Sequence, residues 1–421
     1  MYNFFNFDSN MIKIIEETEK KIEDKVREID KIVEYNQGKV LKAFQKYQVS
    51  DFHLHSSTGY GYNDVGRDVL DNIYAEVFGA ESGLVRPHIV SGTHALTIGF
   101  FGLLRPGDEL LYITGDPYDT LEEVIGIHGN GMGSLKEWGI NYNSIPLDDS
   151  GGVNLDLLKK MISKQTKVIA IQRSKGYSWR ASFSIKEIEK MVLYVKGINP
   201  DIIIVVDNCY GEFTDTLEPT DIGADVIIGS LIKNPGGGLA KSGAYIVGKE
   251  KYIEKISYRL TAPGIGREIG ATHGYMSDFY QGFFLAPHFV GEALKGAIFT
   301  AALLENLGFE TSPKWHEDRN DIIQAVKFNN PLRLTTFLKG IQKGSPIDSH
   351  VVPESSNIPG YQNRVIMAAG VFVQGASLEL SGDAPIVEPY IGYVQGGLTY
   401  QHVKWGILTA IDVMLQNNLI D

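Results

Sequence analysis

Cysteine is nearly absent: Cys209 stands alone in 421 residues. An intramolecular disulfide is therefore excluded, and so is a zinc site built from four cysteines. Long apolar runs are absent too. None approaches the roughly 18 residues that a membrane-crossing helix needs. The opening MYNFFNFDSN has neither the basic start nor the apolar stretch of a secretory signal. These absences predict a cytoplasmic chain with no membrane partner. Positive charge is also short, with 39 Lys and Arg against 51 Asp and Glu, a net of −12. A broad nucleic-acid surface is excluded on that ground, while a local basic pocket for one phosphate remains compatible.

What is present reads as an α/β protein. The length exceeds one ordinary core, which sets two domains as the expectation. Met11, Ile15, Ile22, Val26, Ile29 and Val33 recur at helical spacing and predict a helix over 8–35, capped by Asp8 or Ser9. It is read as an arm reaching a partner subunit, the alternative being packing on its own domain. A Gly-punctuated loop follows, with His53 and His55 as an H-x-H pair lacking a third ligand, so no metal is assigned. Helix and strand then alternate. Helices are predicted over 69–78, from 91 to 104, over 118–127 and over 184–196. Strands are predicted over 86–90, 109–113, 167–172, 202–206, 226–228 and 243–247. Such alternation implies a mostly parallel sheet. Residues 249–288 read as irregular. An apolar helix over 289–307 leads into a smaller part, with strands at 365–373 and 377–380 and a last helix over 402–416. The predicted division is a helical arm 1–60, a large domain 61–290 and a small α+β domain 291–421.

The chemistry centres on residues 202–238. The run Ile202–Val206 suits a strand buried on both faces, and it delivers Asp207 to the carboxyl edge, where ligands sit in open α/β sheets. A second apolar run ends in Gly229-Ser230-Leu231-Ile232-Lys233, followed by Pro235 and three glycines. An acid and a lysine 26 residues apart, both beside turns, match the needs of pyridoxal 5′-phosphate. That cofactor takes a lysine amine as Schiff-base partner, a carboxylate at its ring nitrogen, and hydroxyls and amides at its phosphate. Lys233 is the expected amine, with Lys241 as rival; a solvated loop lysine is the plainer reading. Ser91-Gly92-Thr93-His94-Ala95 turns a strand into a helix through small and hydroxyl residues, which makes a phosphate cup or only a helix cap. Tyr118, past the next strand, is either a ring-stacking aromatic or a turn tyrosine. Gly129-Asn130-Gly131-Met132-Gly133 follows a helix and is read as a loop. Cys209 has no nucleophile partner pattern and is read as a core cysteine.

Taken in order, GYGYNDVGRD, SGTHA, QRSKGYSWR, VVDNCYGEF, GSLIKNPGGG and QGGLTY resemble the fold-type I pyridoxal phosphate enzymes of the cystathionine-lyase and methionine γ-lyase branch. Within it they look like the methionine γ-lyase-like aluminium-resistance proteins, over nearly the whole chain. The resemblance implies that Lys233 binds the cofactor, Asp207 pairs with its ring nitrogen, Tyr118 stacks on it, and Gly92, Thr93 and Ser230 hold its phosphate. It implies a homodimer or homotetramer whose neighbour completes the phosphate site, for which Tyr62 and Arg67 are the matches and Tyr60 the rival. The lyases place an Asn where this chain has Arg173-Ser174-Lys175-Gly176-Tyr177, and their substrate-carboxylate arginine has no clear counterpart. Arg173, Arg180 and Arg364 are the candidates. The expected activity is a carbon–sulfur lyase on a sulfur amino acid, by β- or γ-elimination. A replacing transferase and a non-catalytic cofactor-binding stress protein are the alternatives.

Overall fold

The computed structural model describes residues 1–421 apart from 1, 3, 62, 360 and 421. Seven strands form the larger sheet: β1 (Ser82–Arg86), β2 (Glu109–Tyr112), β3 (Asn141–Ser144), β4 (Thr166–Gln172), β5 (Ile203–Asp207), β6 (Val226–Ser230) and β7 (Ala244–Gly248). Their order is β1-β7-β6-β5-β4-β2-β3. The run β6-β5-β4-β2-β3 is parallel, and β7 lies antiparallel to both β6 and β1. Five further strands make an antiparallel sheet of order β10-β11-β12-β9-β8: β8 (Glu310–Ser312), β9 (Ile323–Lys327), β10 (Val365–Ala368), β11 (Ser381–Pro385) and β12 (Ile391–Gln395). Among the described residues ten α-helices cover them: α1 (Ser9–Lys46), α2 (Val65–Val77), α3 (Gly92–Leu103), α4 (Asp119–Ile125), α5 (Leu155–Met161), α6 (Ile185–Ile198), α7 (Glu250–Leu260), α8 (Met276–Asn306), α9 (Pro331–Lys343) and α10 (Tyr400–Gln416).

The central strands are apolar on both sides because both sides are covered. Along β5, Ile204 and Val206 enter one core with α1, α2, α6 and α8, while Ile203 and Val205 enter the other with α3 and α7. This is the arrangement that a continuous apolar run encodes. The α/β class and the mostly parallel sheet are therefore as expected. Among the described residues no helix is long and apolar enough to cross a membrane.

Several boundaries differ from the sequence reading, each for a local reason. The strand expected at 86–90 lies four residues earlier and ends at Arg86, because Pro87 has no N–H to continue the ladder. The segment 249–288 is not irregular throughout: α7 occupies 250–260, with Tyr252, Ile253 and Ile256 buried at helical spacing. Helix α8 starts 13 residues before the expected 289, running through Pro287. A mid-helix proline costs about 3 kcal/mol or more, and here the burial of Phe279, Tyr280, Phe283 and Ala286 on the same helix offsets it. Helix α1 is not free to leave: Ile29 and Val33 pack on Gly291 of its own chain, and Gln37 Nε2 donates to the Phe284 carbonyl at 2.9 Å. In the C-terminal part, the strand expected over 365–373 stops at Ala368, and 377–380 is not a strand. The buried Glu379 carboxylate accepts the N–H groups of Phe372 and Val373, which folds that stretch back on itself.

Candidate active site

The carboxyl ends of β5 and β6, the first turn of α3 and the β11–β12 edge enclose a cavity of about 340 Å³. Asp207 and Lys233 both line it. One Asp207 oxygen accepts the Cys209 N–H at 3.1 Å. Burial pushes the Asp207 carboxyl up and the nearby Lys233 pulls it back, leaving it above the usual range. The Lys233 ammonium lies 4.2 Å from the centre of the Tyr210 ring. Burial works against its charge, but Cys209, Tyr210, Asp207 and Glu212 around it outweigh that and hold it charged. The turn that presents Lys233 needs glycine. A Cβ on Gly236 would stand 1.6 Å from the Leu231 carbonyl oxygen, and one on Gly237, at φ +55°, 2.1 Å from that of Gly282. The rival Lys241 is 66% exposed, pairs with Asp278 and does not line the cavity.

The corner at α3 has the character of an anion cup. Ser91 caps the helix by accepting from the His94 N–H at 3.0 Å. The Gly92 and Thr93 N–H groups have no acceptor among the described residues. Beside them the Ser230 hydroxyl, 1% exposed and lining the same cavity, is also without a partner. Gly92 leaves the corner open: a Cβ there would touch Cys209 Sγ at 3.4 Å and Ser230 Cβ at 3.5 Å. Unpaired amides at a positive helix end and an orphaned hydroxyl fit a phosphate.

Across the cavity stands a wall of tyrosines. Tyr118 leads into α4 with its backbone N–H donated to Gln172 Oε1 at 2.9 Å, and its hydroxyl bonds that of Tyr361. Tyr177 lies 6.0 Å from Tyr118, 5.9 Å from Tyr361 and 5.1 Å from Tyr393, ring centre to ring centre. Asp383 on β11 faces the cavity among them. Its Oδ1 and the Tyr177 hydroxyl are buried without a well-formed hydrogen bond, although the hydroxyl is near enough to favour the charged carboxylate, and its Oδ2 accepts from Gln395 Nε2 at 3.4 Å. Burial pushes the Asp383 carboxyl up to about 7. Sequence reasoning singled out neither Asp383 nor Tyr361 and Tyr393, and it met Gln395 only as the first residue of QGGLTY, with no role assigned. The pairing of β11 with β12 brings Asp383, Tyr393 and Gln395 to the site, while Tyr361 comes from the segment ahead of β10 and is held by the Tyr118 hydroxyl.

None of the three candidate arginines reaches this cavity. Arg173 is 0% exposed and both its terminal nitrogens are engaged inside the chain: it donates to Asn208 Oδ1 at 2.8 Å, the Gly211 carbonyl at 2.9 Å and Thr214 Oγ1 at 3.2 Å, with Glu218 at 3.5 Å. The Arg180 guanidinium covers the Phe183 ring at 4.6 Å and donates to the carbonyls of Ala181, Gln172 and Ser174. Arg364 is exposed and donates to the Ser355 carbonyl. Arg67, expected to serve a neighbour's phosphate, is 2% exposed and ties down its own loop. It donates to the carbonyls of Gly59 and Glu268 and pairs with Asp68 at 3.3 Å. Tyr62 lies outside the described residues, while Tyr60 in the same loop is 76% exposed. Lys233 is thus the one cation lining the cavity among the described residues.

Comparison with known proteins agrees with this geometry. Residues 11–415 match the family model described as methionine γ-lyase. The uncharacterized protein YnbB of Bacillus subtilis is 57% identical over 395 residues, 94% of each chain. A solved structure from Listeria monocytogenes, of a candidate cystathionine β-lyase involved in aluminium resistance, is 55% identical; it covers 95% of this chain and 98% of its own at a TM-score of 0.93. Another with the same description, from Clostridium acetobutylicum, is 49% identical, covers 98% and 97%, and has a TM-score of 0.95. The chain therefore belongs to the methionine γ-lyase family, and the cofactor its cavity fits is pyridoxal 5′-phosphate.

Proposed function

We propose that this protein is a carbon–sulfur lyase that cleaves a sulfur-containing amino acid by β- or γ-elimination. The observation that carries the reading is one cavity holding Lys233, Asp207, unpaired amides at α3 and the orphaned Ser230 hydroxyl. Lys233 Nζ would hold the cofactor covalently, and Asp207, with one oxygen fixed by the Cys209 N–H, would keep the proton on its ring nitrogen. Gly92, Thr93 and Ser230 would take its phosphate, and Tyr118 would face its ring. When bound, pyridoxal 5′-phosphate supplies an electron sink that lets a proton leave the substrate's α carbon. Lys233 Nζ, at the floor of the cavity, would be the base that moves that proton. The surrounding tyrosines and Ile232, Met367 and Ile323 would exclude water from the reacting carbons.

The relatives named for cystathionine β-lyase and aluminium resistance support the same reading. Arg173, Arg180 and Arg364 all bind backbone or buried partners of their own chain. The anionic substrate carboxylate and the phosphate would therefore draw further donors from a second subunit, in a homodimer or homotetramer with shared sites. The test couples borohydride reduction and peptide mapping with product analysis. We expect a pyridoxyl label on Lys233, and an α-keto acid with ammonia and a thiol or sulfide from methionine, cystathionine or cysteine. A label on Lys241, or a replacement product without keto acid, would overturn the assignment.

A further inference from the structure

Once the cofactor has taken Lys233 and Asp207, one charged side chain is left in the cavity lining among the described residues: Asp383. Its position is odd for a site that handles amino acids, whose carboxylate it would repel. No cation of the described chain pairs with it. The groups facing it are neutral: Gln395 and Tyr393 from β12, Tyr177 and Tyr361 from the connecting segments, Tyr118 ahead of α4 and Tyr210 after β5. A buried carboxyl without a cation either keeps its proton or meets a cation that arrives with the ligand. The tyrosines decide between these. Tyr118, Tyr177, Tyr361 and Tyr393 form a cluster with neighbouring ring centres 5.1–6.0 Å apart. An acid set in a cage of aromatic rings is the chemistry that recognises an ammonium group, by charge and by ring quadrupole together.

We propose that Asp383 and the tyrosine cage select a substrate whose side chain ends in a second, protonated amine. The proposal rests on the carbon–sulfur lyase reading above and narrows its substrate class to sulfur-containing amino acids whose side chain also carries a distal ammonium. A carboxyl pushed up to about 7 by burial is consistent with a group that gives up its proton when that ammonium binds.

The experiment is a spectral titration of the holoenzyme with amino acids that have no sulfur leaving group. L-Ornithine and L-lysine are compared with L-norleucine and L-2-aminoheptanoate, in which a methyl group replaces the distal ammonium. The readout is the dissociation constant from the change in cofactor absorbance. We expect the ammonium ligand of at least one length to bind about tenfold tighter than its isostere, the worth of one charge-assisted hydrogen bond. In Asp383→Asn, which keeps the shape of the side chain, that preference should vanish. Equal affinity within each pair in the unmodified protein would overturn the proposal, as would a preference retained in the variant. If none of the four ligands changes the absorbance although Lys233 carries the cofactor, the amino-acid reading itself fails and takes this proposal with it.

Discussion

Replacing Arg173 by methionine separates two roles that the sequence left open. As a substrate ligand, Arg173 would be dispensable for folding. The structure makes it a clamp instead. Its guanidinium holds Asn208, Gly211 and Thr214, in the loop that directly follows Asp207. That loop contains two non-glycine residues in the left-handed region, Tyr210 at φ 72° and Phe213 at φ 63°, and Tyr210 lies under Lys233. Removing one partner of a buried ion pair costs about 3–5 kcal/mol. Relaxing one left-handed residue returns about 1–2 kcal/mol, so Arg173→Met should lose about 1–4 kcal/mol net. Denaturant midpoints and a melting point lowered by several degrees would report it. The pH dependence follows from Glu218. Burial already pushes its carboxyl up and Arg173 pulls it back. Without the arginine the folded-state pKa rises further above the unfolded one. Such a group stabilises below its unfolded pKa and loses that contribution as pH rises through its folded pKa. The deficit should therefore shrink in acid and grow toward neutral pH. Adding Glu218→Gln removes the stranded charge and should recover at least part of the loss. An unchanged midpoint in Arg173→Met, with amino-acid affinity reduced more than about tenfold, would refute the clamp.

Ser230→Ala should leave the cofactor-free protein as stable as before or slightly more so, because its buried hydroxyl has no partner to lose. The same change should weaken cofactor binding by about tenfold, measured by dialysis and absorbance; unchanged retention would remove Ser230 from the phosphate cup. For assembly, mixing Lys233→Ala subunits with Tyr60→Ala subunits should partly restore turnover if the exposed loop completes a neighbour's site. Hybrids verified by mass but still inactive would refute sharing through that loop.

The parts of the site legible in the sequence are those whose chemistry is local. Ile203–Asp207 reads as a doubly buried strand ending in an acid because every residue of the run meets one core or the other. Ser91-Gly92-Thr93 reads as a helix start because capping is set by neighbours along the chain. Lys233 stands out through the glycines behind it, Gly236 required by the Leu231 carbonyl and Gly237 by the backbone of α8. Arg173 shows the limit. A sequence displays its charge but not that Asn208, Gly211 and Glu218 enclose it, since those contacts form only after β4 and β5 pair. The same holds for α8, where burial along the helix overrides a proline that on propensity should end it.

The two halves of the cavity differ in how freely they can change. The cofactor half depends on backbone: unpaired amides at α3, and turns where a Cβ at Gly236 or Gly237 would drive into a carbonyl. A substitution there displaces main chain and carries a folding cost. The opposite half is built from side chains, among them Asp383, Tyr393 and Gln395 on β11 and β12, whose register is held by backbone pairing of Ser381–Asp383 with Gln395–Tyr393. Exchanging Asp383, Tyr393 or Gln395 alters charge and shape in the cavity without touching that ladder. The physical consequence is that substrate choice can shift by single replacements on the β11–β12 edge, while the Lys233, Asp207 and Ser230 corner stays in place beneath it.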